Sequence, residues 1–245
     1  LPTRTSLSKT LIVLLAATSA LGPAAMQILL PALPVIKETF EVSTEVAQLT
    51  LSLSMLAIAL GTLFFGPLSD KYGRKPVMLF GLSITIAGSI FCFLANTIEL
   101  LIAGRFIQAF GAAVGLVLAR AIVRDVYGPQ EAARVIATLV MVMVVAPMLS
   151  PALGGELMLR FGWEYVFIVI TIACILISLL LIKNLPETLK EPVPFTGVAA
   201  MIGNYALLFR SRAFCGYAFC VTFVSVLFFS FISAAPEIMV SVLKR

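Results

Sequence analysis

Apolar residues run along this chain in long unbroken blocks, not in alternation with polar ones. The blocks lie at about Leu11–Leu33, Val46–Leu68, Pro76–Leu94, Leu100–Val123, Val135–Leu157, Trp163–Ile182 and Phe214–Ala235, with polar stretches between them. Crossing a ~30 Å hydrocarbon core takes roughly 20 helical residues, which each block supplies. Lipid offers the backbone no hydrogen-bond partner, so only helices and closed barrels span it. Continuous apolarity without a period of two selects helices. The pattern predicts an all-α multi-pass membrane protein with seven spans.

The polar interruptions give each span its character. In span 1, Gly22-Pro23 predicts a break, and Val35–Glu45 reads as the external loop that follows. In span 2, Gln48 and Ser52 share one face, as do Thr50 and Ser54. Gly66–Lys75 reads as a tight turn into span 3, with Gly73 at a backbone angle closed to other residues. Asp70 is placed to cap the next helix, and Pro76 suits its first turn. Span 3 is otherwise plain and is expected to face lipid. Span 4 carries Arg105, Gln108 and Arg120 inside an apolar run, a costly arrangement unless they face a polar interior. Its Gly111-Ala112-Ala113-Val114-Gly115 lets a neighbouring helix approach closely. In span 5, Pro147 and Pro151 lie on one face ahead of Gly154-Gly155, which predicts a bend and tight packing. Trp163 and Tyr165 are expected at the headgroup level.

Composition confirms the class and removes others. The 245 residues are 61% hydrophobic and 12% charged, against about 25% charged in a soluble domain. The net charge of +5 sits in loops and is no nucleic-acid signature. The chain has no histidine, which removes Ser-His and Cys-His nucleophile pairs and His-based zinc sites at once. Cys92, Cys174, Cys215 and Cys220 lie in apolar runs without metal-ligand spacing and read as small packing residues. No enzyme, cofactor or metal site is expected.

Charge orients the chain. With the N-terminus in the cytoplasm, that side gathers Arg4, Lys9, Lys71, Arg74, Lys75, Arg124, Arg134, Lys183, Lys190, Arg210 and Arg212. The outer side holds Lys37, Arg160, Lys244 and Arg245. The polar stretch after span 6 divides the chain into residues 1–182, a six-helix bundle; 183–213, a cytoplasmic loop with an amphipathic piece at Met201–Phe209; and 214–245, a seventh helix. An internal echo supports the layout. Gly66-x-Leu68-x-x-x-x-Gly73 ends span 2, and Gly155-x-Leu157-x-x-x-x-Gly162 ends span 5 on the opposite side. A three-helix unit repeated with inverted topology gives that result.

These motifs resemble the major facilitator superfamily, and within it the bicyclomycin/chloramphenicol-resistance group of drug:proton antiporters. The matching strings are Leu30-Pro31-Ala32-Leu33-Pro34, Gly66–Pro76, Arg105-Phe106-Ile107-Gln108, Arg124-Asp125-Val126-Tyr127 and Ser150-Pro151-Ala152-Leu153-Gly154-Gly155. The resemblance implies a bundle of 3+3 inverted repeats and a transporter of the bacterial inner membrane, exporting small hydrophobic compounds by proton antiport. It implies that Gly66, Asp70, Gly73 and Arg74 lock the cytoplasmic side, with Arg124 as partner of Asp70. It implies that Arg105, oriented by Gln108, sits in the binding half-cavity with Met26, Gln27, Gln48, Ser52, Met141 and Met143. Pro147, Pro151 and Gly154 correspond to the helix-5 antiporter motif. Two departures stand out. Gln27 occupies a position where many members carry an aspartate, and glutamine exchanges no proton. The family has twelve spans, so the chain reads as an N-terminal half plus span 7, with the second half as its missing partner. A facilitator for an anionic metabolite, using Arg105 and Arg120, is the alternative transport reading; a non-transporting truncated membrane module is the other.

Overall fold

The structure, a computed structural model, describes residues 8–189, 203 and 208–237, the side chains of 228–237 excepted. Every regular element among them is helical.

Helix α1 (Lys9–Gln27) is capped by Ser8, whose hydroxyl accepts from the Leu11 N–H at 3.1 Å. It passes through Pro23, so the break expected at Gly22-Pro23 is absent. The irregularity comes later, as a 3₁₀ turn at Leu30–Ala32 that leads into α2 (Leu33–Thr39). One proline forfeits one bond, to the carbonyl four residues back. Pro31 and Pro34 strip donors from two successive turns, and each begins a new element where the missing N–H is harmless. The external loop expected at Val35–Glu45 is therefore helical to Thr39 and shrinks to residues 40–43.

Helix α3 (Thr44–Tyr72) and α4 (Arg74–Phe93) follow. The turn expected over Gly66–Lys75 reduces to Gly73, with φ of +99°. Asp70 consequently lies in the last turn of α3 and does not cap α4. Helices α5 (Ile98–Val126), α6 (Pro129–Phe161) and α7 (Tyr165–Asn184) complete the first unit. Counting α1 with α2 as one, six helices among the described residues are long and apolar enough to cross a membrane.

The packing pattern carries the inverted repeat. Helix α5 lies against α1, α3 and α4, while α1 lies against α5, α6 and α7, and α4 meets α7. Exchanging α1 with α5, α3 with α6 and α4 with α7 maps that set of contacts onto itself. The two glycines at positive φ, Gly73 at +99° and Gly162 at +109°, end α3 and α6, the helices this exchange relates. The Gly-x-Leu-x-x-x-x-Gly echo thus marks one backbone conformation used at opposite ends of the bundle.

Helix α4 is not the plain lipid-facing span expected. Its Met78 and Leu82 are fully buried, Gly81 meets Val114, and Gly88 meets the backbone of Gln108, so α4 packs tightly onto α5. Gly115, on the same helix as Gly111, abuts the Thr18 carbonyl of α1. The small residues of α5 let it wedge between α1 and α4. At the opposite end of the bundle from Arg74, Trp163 stands edge-on to Phe40 at 5.8 Å and to Phe167 at 6.2 Å. It is 4% exposed and closes a core; among the two aromatics expected at the headgroups, only Tyr165 is exposed.

The second unit contains α8 (Arg212–Glu237), an apolar helix that starts at Ser211, whose hydroxyl accepts from the Phe214 N–H at 3.4 Å. Most of the loop expected at 183–213, and most of its amphipathic piece at Met201–Phe209, lies outside the described residues.

Candidate functional site

Five helices of the first unit converge on a cavity of about 700 Å³, to which α4 contributes Arg74. Pro23 reaches it from α1, and Thr62, Gly66 and Asp70 from α3. Helix α5 contributes Leu116, Val117, Ala121, Arg120 and Arg124, and α6 contributes Met143. Thr62, Gly66 and Asp70 recur at helical spacing on one face of α3, and Gln48 and Ser52 continue that face toward the other end. Both are exposed. Met26 and Gln27 are partly buried, one turn beyond Pro23 on α1. Of the three methionines expected in the site, Met143 alone lines the cavity, and Met141 is 61% exposed.

Arg105 lies elsewhere. It is 1% exposed, sealed between α1, α4 and α5, and does not line this cavity. Its Nη1 donates to the Ala25 carbonyl at 3.2 Å and to Gln108 Oε1 at 2.5 Å. Gln108 Nε2 donates to Ser89 Oγ at 2.7 Å, and that hydroxyl donates to the Thr85 carbonyl at 2.8 Å. The Ala25 carbonyl belongs to the last turn of α1, where carbonyls run out of helical partners. Nε and Nη2 of Arg105 have no partner among the described residues. A buried guanidinium left two-thirds unsatisfied carries a desolvation cost.

One arginine of the cavity wall gathers three helices. Arg74, at the start of α4, donates through Nη1 to Ser69 Oγ at 2.6 Å and Asp70 Oδ1 at 2.5 Å on α3, and through Nε to Asp125 Oδ2 at 2.8 Å on α5. Asp70 thus pairs with Arg74, not with Arg124 as expected; Asp70 and Arg74 are one helical turn apart across Gly73. The cap of α4 comes from beyond α7. Glu187 accepts from the Arg74 N–H at 2.8 Å and the Lys75 N–H at 3.1 Å, and Thr188 Oγ1 donates to Asp125 at 3.3 Å. Lys75 Nζ donates to the Ile182 carbonyl at 2.8 Å. Burial pushes the Glu187 carboxyl upward, but the N–H groups of Leu189, Arg74, Lys75 and Thr188 together hold it below its usual value.

Sequence reasoning overlooked Glu187, Thr188 and Asp125. The available signal was Leu185-Pro186-Glu187, an acid following α7 at the end of the bundle where α4 begins with free N–H groups. Pro147 and Pro151 lie inside an uninterrupted α6, and Gly154 packs against the Ile28 carbonyl of the α1–α2 junction.

The sequence profile described as Major Facilitator Superfamily matches residues 15–243. An MFS-type transporter of Bacillus subtilis, YdgK, is 35% identical over 227 residues, covering 91% of this chain and 56% of its own length. A bicyclomycin resistance protein homolog of Haemophilus influenzae is 30% identical over 228 residues, with the same coverage. The chain therefore spans about half the length of the curated relatives it matches. Among solved structures, the human organic anion transporter MFSD10 superimposes with a TM-score of 0.66 at 22% identity, covering 82% of this chain and 53% of that one. That likeness concerns the fold.

Proposed function

The chain belongs to the major facilitator superfamily, and from that premise we propose that it forms the first bundle of an exporter for small, largely apolar compounds of the bicyclomycin-resistance type. The observation that carries the reading is the cavity between α1, α3, α4, α5 and α6. Its volume suits a drug-sized molecule, and its walls mix apolar side chains with a few polar ones. The resemblance to a bicyclomycin resistance homolog supports the substrate class. In this reading the clasp of Arg74, Asp70, Asp125 and Glu187 is the element that opens and closes at one end of the cavity. Holding it closed and releasing it is the alternating access that export requires. The lock residues Gly66, Asp70, Gly73 and Arg74 keep their roles in this reading, and Arg105 with Gln108 fixes α1 against α4 and α5.

Proton exchange is the proposed driving reaction, carried at a group other than position 27, since Gln27 does not titrate. The test uses the protein at its full natural length in inverted membrane vesicles. An imposed proton gradient should drive uptake of chloramphenicol or bicyclomycin, and each drug should partly dissipate the gradient. Drug uptake that persists without proton movement would replace antiport by facilitated diffusion. No uptake of either drug would overturn the export reading.

A further inference from the structure

We propose that the cavity selects amphipathic organic anions, molecules with an apolar body and one carboxylate or similar group, and that Arg120 and Arg124 hold the charge. This rests on the transport reading above and narrows its substrate class.

The starting observation is an imbalance of charge. Three arginines and one acid line the cavity, namely Arg74, Arg120, Arg124 and Asp70. Arg74 is consumed by Asp70 and Asp125. Arg120 and Arg124 form no ion pair among the described residues. The nearest polar contact of Arg120 is Nη2 to Met143 Sδ at 4.0 Å, and a thioether is a weak acceptor. Asp125, beside Arg124 in sequence, is already engaged by Arg74 and Thr188.

The two arginines are four residues apart on α5 and share a face, with Cβ atoms roughly 6 Å apart. Two like charges at that spacing repel, and a single anion between them relieves the repulsion. Guanidinium groups match carboxylate and phosphate oxygens in pairs, so the geometry favours an oxyanion over halide. The surrounding walls are Pro23, Leu116, Val117 and Met143. Low-dielectric walls around a cationic pair focus its field into the cavity. They also give an apolar body somewhere to lie. Arg105 plays no part in this recognition, because it is sealed away from the cavity.

The test compares two probes that share one body: neutral chloramphenicol and its succinate half-ester, which adds a single carboxylate. Affinities are measured by equilibrium dialysis on the full-length protein in phosphatidylcholine nanodiscs. The half-ester should bind about tenfold tighter than the neutral drug, with a preference that falls as salt is raised. Arg120→Gln and Arg124→Gln should each bring the ratio of affinities toward one, and Arg120→Lys should retain part of it. Arg160→Gln, the same charge change at the far end of the bundle, should leave the ratio unaltered. Equal affinities in the unaltered protein, or a preference that survives both substitutions, would overturn the anion assignment even where neutral drug is exported. Failure to transport neutral drug while the half-ester binds in this arginine-dependent way would overturn the export of neutral drugs alone. Displacement of the half-ester by micromolar short-chain phosphatidylglycerol would assign the arginines to a lipid headgroup and overturn a solute site.

Discussion

At the scale of single residues, Glu187 and Arg105 make opposite contributions to the same bundle. Glu187 is an exposed carboxylate that accepts from four backbone N–H groups, two of them opening α4. Its pKa is lowered from 4.5, so its stabilisation is fully present above that pH and is lost as pH falls through the lower folded value. Glu187→Gln should cost about 0.5–1 kcal/mol at neutral pH, the usual worth of an anion at an exposed helix N-terminus. The deficit should shrink once the medium is well below pH 4.5. Thermal melts followed by the fluorescence of Trp163, which is 4% exposed, read this directly; a deficit that stays constant with pH would remove the charge from the argument. Arg105 is the converse case. With Nε and Nη2 unsatisfied, it burdens the fold it anchors. An apolar residue of similar length removes two unsatisfied buried nitrogens, at the cost of the donor to Gln108 Oε1 and the Ala25 carbonyl. Arg105→Met should therefore leave the melting temperature unchanged or raise it, and should leave the affinity ratio of the two cavity probes unaltered. A strongly destabilised variant would reverse that assignment.

At the scale of elements, close approach decides which small residues matter. Gly154 and Gly155 are adjacent in α6, yet a Cβ at Gly154 would collide with the Ile28 carbonyl, whereas nothing lies within 4 Å of one at Gly155. Gly154→Val should cost about 1–3 kcal/mol, the usual range for overpacking. Gly155→Ala should be neutral or gain a few tenths of a kcal/mol from helix propensity. Comparable melting temperatures for the two variants would show that α6 and the α1–α2 junction do not pack this closely. The pair also shows what the sequence reveals. Gly-Gly announces a small-residue surface, and the apolar blocks announce every span. Which glycine faces a neighbour depends on the rotation of α6, and nothing within α6 itself fixes that. The span ends were misjudged for a related reason. Polar caps such as Ser43 and Thr97 extend helices past the apolar block, and Gly73 alone turns the chain where ten residues looked like a loop. The cap of α4 was illegible because Glu187 lies 113 residues from the N–H it serves.

At the scale of the whole molecule, the inverted repeat couples the two faces of the membrane. The repeat puts the same Gly-ended helix at opposite ends of the bundle, but only the Gly73 end carries the clasp. Next to Gly162 the chain supplies Glu164 and the exposed pair Arg160–Glu156, and no counterpart of Arg74 bridges three helices there among the described residues. The architecture is symmetric, and the charges laid upon it are not. Positive residues gather at the clasp end, and by the insertion rule we propose that this end faces the cytoplasm. Two single-cysteine variants in a background lacking the natural cysteines test this. Asn96→Cys, in the turn between α4 and α5, should react with a membrane-impermeant maleimide in intact cells. Gly128→Cys, in the turn between α5 and α6, should react only after permeabilisation. The reverse pattern would place the clasp, and with it the Arg120–Arg124 cavity, on the outer side. The cavity would then meet substrate arriving from outside, and the direction of transport would invert with no change in the fold.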